Sequence, residues 1–325
     1  MSMMTGSAAD ALTYRLFREE DLAGVLRLWE EESGWGSLAP AQWREWYADG
    51  PHGPALIPVA EDEGGRIVGQ MALTPARVAV GGREVDALRV SAPIVRPGDW
   101  PIPPVIGLFR TALEAAVPAG FELVFAFTQR SWLPFLRSGP RLGLPPIADA
   151  RYGCASYRLD RACTRPGPPR GGLAAERVRE PGEEFAQLWE SARGGLPIGL
   201  GVVRSPPWLR YKNGGHIMLA IREAGGELAG YAAVRTRDGL LVDLLARDAT
   251  GLARVLEAAL GWLARDPRGR PGLDRVKAMR TPALEAALGG WDRDEFEFTF
   301  MCLSIAPALP LAEIEPARWY LMPGD

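Results

Sequence analysis

The chain has 325 residues and a formal net charge of -3, and its 47% apolar and 24% charged residues describe a folded globular protein long enough for two domains. Three cysteines and two histidines are too few for a disulfide framework, a thiolate cluster or a multi-histidine centre, so no metal is expected. The near-even balance of basic and acidic residues disfavours nucleic acid as a partner, and the lack of a long apolar run or signal-like start predicts a cytoplasmic chain with no membrane contact.

In chain order, Tyr14 to Phe17 reads as a short strand, and Leu22, Val25, Leu26 and Trp29 then recur at helical spacing. The apolar run Ile57 to Ala60 passes through Gly64-Gly65 into Arg66 to Leu73, which is hairpin grammar, and Gly81-Gly82 extends it into an antiparallel meander. Val105, Phe109, Ala112, Leu113 and Ala116 mark an amphipathic helix. Phe121 to Phe127 reads as a strand, Trp132 to Leu136 as a short helix, and Gly153 to Leu159 as a closing strand.

The second half repeats this order. Arg18-Glu19 returns as Arg179-Glu180, Leu28-Trp29-Glu30 as Leu188-Trp189-Glu190, Gly64-Gly65 as Gly225-Gly226 and Gly69 as Gly230, at separations of 160 or 161 residues. Its predicted elements are a helix through Phe185, Leu188 and Trp189 and a meander over Ile217 to Ile221 and Glu227 to Val234 with a turn at Asp238-Gly239. A helix from Leu252 to Leu263, a strand at Arg275 to Met279, a short helix at Ala283 to Leu288 and a last strand at Phe296 to Leu303 complete it. Residues 161–173, rich in Pro, Gly and Arg, read as a stiff linker between domains at 1–160 and 174–325. The predicted class is α+β: two tandem domains, each a mixed, mostly antiparallel twisted sheet flanked by helices.

This order, together with Gly64-Gly65-Arg66-Ile67-Val68-Gly69 in the meander and the opening Arg18-Glu19-Glu20-Asp21-Leu22, resembles the GNAT superfamily of acyl-CoA-dependent acyltransferases, here in tandem. The resemblance covers nearly the whole chain. It implies an N-acetyltransferase-like enzyme whose cosubstrate is acetyl-CoA or another acyl-CoA and whose acceptor is a small-molecule amine. It also implies that the fourth and fifth strands of the first half splay apart, freeing main-chain groups for the pantetheine arm. Ile94, Val95 and Thr128 then line the arm, and Arg96, Gly98 and Arg110 serve the phosphates.

The phosphate segment departs from the family pattern. Pro97, Pro101, Pro103 and Pro104 have no N–H to donate, and Asp99 sets a negative charge beside the expected pyrophosphate. In the second half, Arg247 to Ala253 lies one residue off the family spacing, with Thr250 as the expected helix cap. For proton transfer the candidates are Glu84 and Asp86 on the meander and Asp325 in the tail, each set against a plainer structural role. Gln129, Arg130 and Ser131 follow the fifth strand as candidate acceptor contacts, and Trp100 and Trp132 as an aromatic wall or as packing. His52 and His216 are assigned to structural roles, and Cys154 and Cys302 to the core. Two other readings stay open: a GNAT-like protein that has lost catalysis and binds a small molecule or organises a partner, and aminoacyl transfer on the same scaffold.

Overall fold

The computed structural model describes residues 12–98, 103–128, 130–163, 172–265, 273–306, 309 and 315–325. Asp99, Trp100, Gln129 and most of the expected linker lie outside them, as does the side chain of Ser131. The first half runs β1 (Thr13–Leu16), α1 (Leu22–Glu32), α2 (Pro40–Tyr47), β2 (Pro58–Glu61), β3 (Ile67–Val80), β4 (Arg83–Val95), α3 (Pro104–Ala116), β5 (Leu123–Thr128), α4 (Leu133–Arg137) and β6 (Ile147–Arg158). A single turn, α5 (Asp160–Cys163), follows. The second half then runs β7 (Ala174–Arg177), α6 (Glu183–Gly195), β8 (Leu200–Val202), α7 (Pro206–Asn213), β9 (Ile217–Arg222), β10 (Leu228–Val234), β11 (Leu241–Ala246), α8 (Ala249–Arg265), β12 (Arg275–Met279), β13 (Asp292–Ser304) and β14 (Trp319–Tyr320).

The apolar spacing read from the sequence becomes burial. Leu22, Val25, Leu28 and Trp29 are the buried face of α1, and Phe185, Leu188 and Trp189 that of α6. Every residue of β3 except Arg77 is buried, as befits a central strand covered on both faces. Pro75 fits in it because the edge of β3 away from β4 is taken by β2 up to Gln70, by Leu56 at Leu73 and by β8 only from Val78, so its missing N–H breaks no ladder there.

Two features differ from expectation. The helices α2 and α7 each begin with proline and bury only a few side chains, Trp43 and Tyr47 in one and Trp208, Leu209, Lys212 and Asn213 in the other, so their stripes are too short to register as periodic. Residues 283–288 form a run of turns instead of a helix.

The two halves do not close their sheets separately. The larger sheet has the order β1-β2-β3-β4-β5-β13-β6-β12 along its main path, so β13 of the second half lies between β5 and β6 of the first. Each half thus donates a long late strand: β13 pairs with β5 from Thr299↔Thr128 to Ser304↔Leu123, and β6 pairs with β12 from Arg275↔Arg158 to Met279↔Cys154. The smaller sheet is β11-β10-β9-β7, and a parallel bridge, Leu240↔Lys277, links it to β12. The interior between the halves holds residues of both, including Val78, Phe125, Cys154, Trp208, Val242, Phe300, Cys302 and Trp319. Cys154 and Cys302 are buried, and burial pushes the Cys154 thiol up to about 11, which leaves it no nucleophilic thiolate at neutral pH. Among the described residues no helix is long and apolar enough to cross a membrane.

Candidate active site

The strands β4 and β5 pair in parallel at three positions only, Ala87↔Leu123, Leu88↔Val124 and Arg89↔Phe125. Beyond Arg89, β4 stays with β3 while β5 stays with β13, and the two part. The opening is a cleft of about 550 Å³, lined on the β4 side by Val90 to Val95 and on the β5 side by Ala126, Phe127 and Thr128. From Val90 onward the main-chain groups on that edge of β4 have no β5 partner.

A bulge in β4 shapes the cleft. Gln70 faces Ile94 but Ala72 faces Ser91, so β4 carries one extra residue, and Ala92 there has a left-handed φ of 47°. The buried Gln70 amide donates to the Ala92 carbonyl at 3.5 Å. One extra residue inverts the alternation of side chains. Leu88 and Val90 pack among Val105, Ile106 and Phe109 of α3, whereas Ala92 and Ile94 pack with Val25, Trp29 and Trp43 of α1 and α2. The gap therefore has two different faces. Phe109, Leu136 and Met301 give it an apolar wall on the α3 side, and Glu32, Ser33 and Trp35 stand at its rim at the end of α1. Met301 belongs to β13, so strand exchange makes the second half part of this site.

Of the residues singled out from the sequence, the fold brings Ile94, Val95, Thr128 and Trp132 together in the cleft. It sends the others elsewhere. Glu84 and Asp86 lie toward the paired end of β4, where Asp86 meets Arg77 at 3.4 Å and Glu84 meets Arg193 at 3.3 Å. They are surface ion pairs away from the cleft, since the polar side chains of a meander edge turn to water. Arg96 is held by Glu31 and by Glu32 at 2.8 Å, so two carboxylates already claim its guanidinium. Arg110 donates to the Leu142 carbonyl, away from the cleft, while its neighbour Phe109 faces in. Gly98 is exposed in the loop after β4. Arg130 is exposed and lies 3.7 Å from Glu297.

At the start of α3, Pro103 and Pro104 occupy the cap and first position, no side chain caps the helix, and Ile106 N donates to the Pro103 carbonyl. Few amides remain there for a phosphate. Gly107 is required next, because a Cβ at this position would run into the ring of Tyr14.

The corresponding slot of the second half is filled by the chain itself. Gly324 N donates to the Val242 carbonyl at 2.9 Å and the Tyr320 hydroxyl donates to the Leu244 carbonyl, so the tail lies along β11. Asp325 is wholly buried there. It accepts from Arg204 at 2.7 Å, from Lys212, and from Met322 N at 2.9 Å, while Asp243 stands 3.1 Å from Lys212 and 3.3 Å from Arg204. Burial alone would raise the Asp325 carboxyl, but Arg204 and Lys212 outweigh it and hold the group below the ordinary carboxylate range. Asp325 is thus an interior ion-pair member of the second half and does not reach the N-terminal cleft. At α8 the cap is Asp248, whose Oδ1 accepts from Gly251 N at 2.7 Å, in place of the expected Thr250. That carboxylate occupies the helix end where a phosphate would sit.

Sequence reasoning missed Glu32, Arg89, Ser91, Phe109 and Met301. The first lies at a helix end that periodicity treats as solvent, and Met301 comes from a strand whose partner only the topology supplies. Arg89 is half-buried in the cleft and forms no ion pair among the described residues. Around it stand Ser91 and two phenols: Tyr47, pushed up to about 12 by burial, and Tyr211, likewise raised by burial, with the positive charge of Arg89 opposing both shifts. His52 packs against Trp208, ring centroids 5.9 Å apart, and neither it nor His216 lines the cleft.

With this geometry in hand, the chain can be compared with solved structures. It is similar to a GCN5-related N-acetyltransferase from Anabaena variabilis (TM-score 0.64, 14% identity, 91% of this chain and 73% of that one). A tandem GNAT protein from the clavulanic acid biosynthesis pathway gives a TM-score of 0.56 at 19% identity over 92% of this chain and 100% of that one. Saccharomyces cerevisiae N-myristoyltransferase, solved with bound myristoyl-CoA, gives 0.59 at 9% identity over 93% and 80%. The fold is that of the GNAT acyltransferases, in tandem. No protein-family model and no curated protein sequence matches the chain.

Proposed function

We propose that the protein is an acyl-CoA-dependent N-acyltransferase that moves an acetyl or similar acyl group to an amine of a small molecule, with its site in the first half. The observation that carries this reading is the parting of β4 and β5 beyond Arg89↔Phe125, which opens a cleft of about 550 Å³ beside unpaired main chain. An extended pantetheine arm fits such an edge as an added strand would. The apolar wall of Phe109, Leu136 and Met301 excludes water from the thioester. The second half, with its own slot filled by residues 320–325, serves as support and as the donor of β13. On this reading 1–160 and 174–325 are the two repeats, with 161–173 joining them.

In the proposed reaction the neutral amine attacks the thioester carbonyl, a C–N bond forms, the C–S bond breaks, and the thiolate takes up a proton. Main-chain N–H groups of β4 around the bulge stabilise the developing oxyanion because they are fixed and face no strand partner. The carboxylate at the cleft rim, Glu32, is bridged to Arg96, so the proton lost by the attacking amine passes to bulk solvent at the open rim, and the thiolate takes its proton from the same source. The phosphate end relies less on α3 than the family pattern does, because proline occupies the amide positions that would converge there.

Isothermal calorimetry with acetyl-CoA, followed by free-thiol release across a panel of amines, tests the proposal. Micromolar binding with amine-dependent thiol release is the expected result; no heat and no thiol would overturn it.

A further inference from the structure

The cleft contains one charge that the reaction above does not use. Arg89 lies on β4 at the last paired position before the strands part, and its side chain is half-buried. The neighbouring arginines on this sheet are neutralised: Arg77 by Asp86, Arg83 by Glu122, Arg96 by Glu31 and Glu32. Arg89 forms no ion pair with a carboxylate among the described residues; the hydroxyls of Tyr47 and Tyr211 feel its charge, Thr74 stands opposite it on β3, and the carboxylate nearest this group is the exposed Glu45 of α2, which acts on Tyr211. A partly desolvated guanidinium without a counter-ion is a site prepared for an anion, and its planar fork suits a carboxylate held by two parallel hydrogen bonds.

We propose that Arg89 anchors a carboxylate carried by the acceptor, so that the amine substrate is an amino acid or a similar carboxylated amine. This rests on the acyl-transfer reading. Position along the strand argues against the phosphates of the donor: Arg89 and Val95 are six residues apart, about 20 Å of extended chain, and the phosphates belong at the Val95 end. Side-chain direction argues for the acceptor. Leu88 and Val90, on either side of Arg89, point to the α3 face, so Arg89 points to the opposite face, toward the phenols of α2 and α7. That is the face on which Trp35, 64% exposed, stands at the rim and leaves an entrance for a second reactant. Ala92, at the bulge, follows Arg89 by three residues, about 10 Å of extended chain, a span that the arginine side chain and a short amino acid bridge together.

The test compares the full-length protein with Arg89→Gln and Arg89→Lys, using free amino acids and their carboxamides as acceptors with acetyl-CoA. The wild type is expected to favour acid over amide at least tenfold in kcat/KM, mainly through KM. In Arg89→Gln that ratio collapses toward one while the Kd for acetyl-CoA stays within twofold, and Arg89→Lys recovers part of it. Equal losses for acids and amides, or a wild-type preference for amides, would overturn the proposal. A ratio that depends on Arg89 only when succinyl-CoA replaces acetyl-CoA would move the carboxylate to the donor and overturn the acceptor assignment. Calorimetry with N-acetyl amino acids and their amides separates the two readings. Arg89-dependent binding without turnover leaves the anchor standing and removes the transferase; turnover without Arg89-dependent selectivity does the reverse. Arg89→Gln removes no ion pair among the described residues, so a melting temperature no lower than that of the wild type confirms that the variant reports on recognition.

Discussion

Replacing Asp325 by Asn separates a structural carboxylate from a catalytic one. In the buried cluster two cations, Arg204 and Lys212, face two carboxylates, Asp243 and Asp325, and all four side chains are at most 1% exposed. Asp325→Asn leaves one positive charge unbalanced in the interior. At an effective dielectric near 20, unit charges at the 2.7 Å of the Arg204–Asp325 contact attract by about 6 kcal/mol. Ion desolvation returns part of that, and breaking a buried pair typically costs about 3–5 kcal/mol. At roughly 2 °C per kcal/mol for a chain of this size, the melting temperature should fall by about 6–10 °C. Lys212, whose pKa burial already lowers, limits the loss by giving up its proton, so Lys212→Met combined with Asp325→Asn should recover a measurable share. The assay is scanning calorimetry together with thiol-release rates measured well below the transition. A melting temperature within about 1 °C of wild type, or a collapse in rate with stability intact, would refute the reasoning and restore Asp325 as a candidate base.

Ala126→Trp fills the space between β5 and β4 and should abolish acetyl-CoA binding by calorimetry while the protein still melts cooperatively. Glu84→Gln and Asp86→Asn, both outside the cleft, should each leave kcat/KM within twofold; a tenfold loss in either would place the base on the meander after all. His52 has its pKa lowered below 6.5, first by burial and then by Arg77. The unfolded chain therefore binds its proton more readily, and the stability tied to neutral His52 is present above the unfolded value and lost as pH falls below about 6.5. Denaturant midpoints measured between pH 7.5 and 5.5 should decline in the wild type and decline less in His52→Gln.

The duplication, the class and the order of elements were legible in the chain, because they depend on local quantities. Leu28-Trp29-Glu30 and Leu188-Trp189-Glu190 fall on matching helices, and Gly64-Gly65 and Gly225-Gly226 each land at the turn of a hairpin. Ile94, Val95 and Thr128 were marked by the resemblance to an acyl-CoA fold and Trp132 by following the fifth strand, and all four line the cleft. What tertiary structure decided is who neighbours whom. A strand's alternation says which of its faces is apolar but nothing about which edge it will join, so the exchange of β6 and β13, and with it Met301 in the cleft, has no signature in one half read alone. Charge is likewise silent until distances are known. Thirty-five arginines look alike in the sequence, yet the fold gives Arg96 two carboxylates, points Arg110 at a carbonyl, and leaves Arg89 beside a cavity without a counter-ion among the described residues. The pattern of apolar residues determined the layers, and the long-range pairing of strands determined the site, because an electrostatic or steric role exists only between groups that folding has brought within a few ångströms.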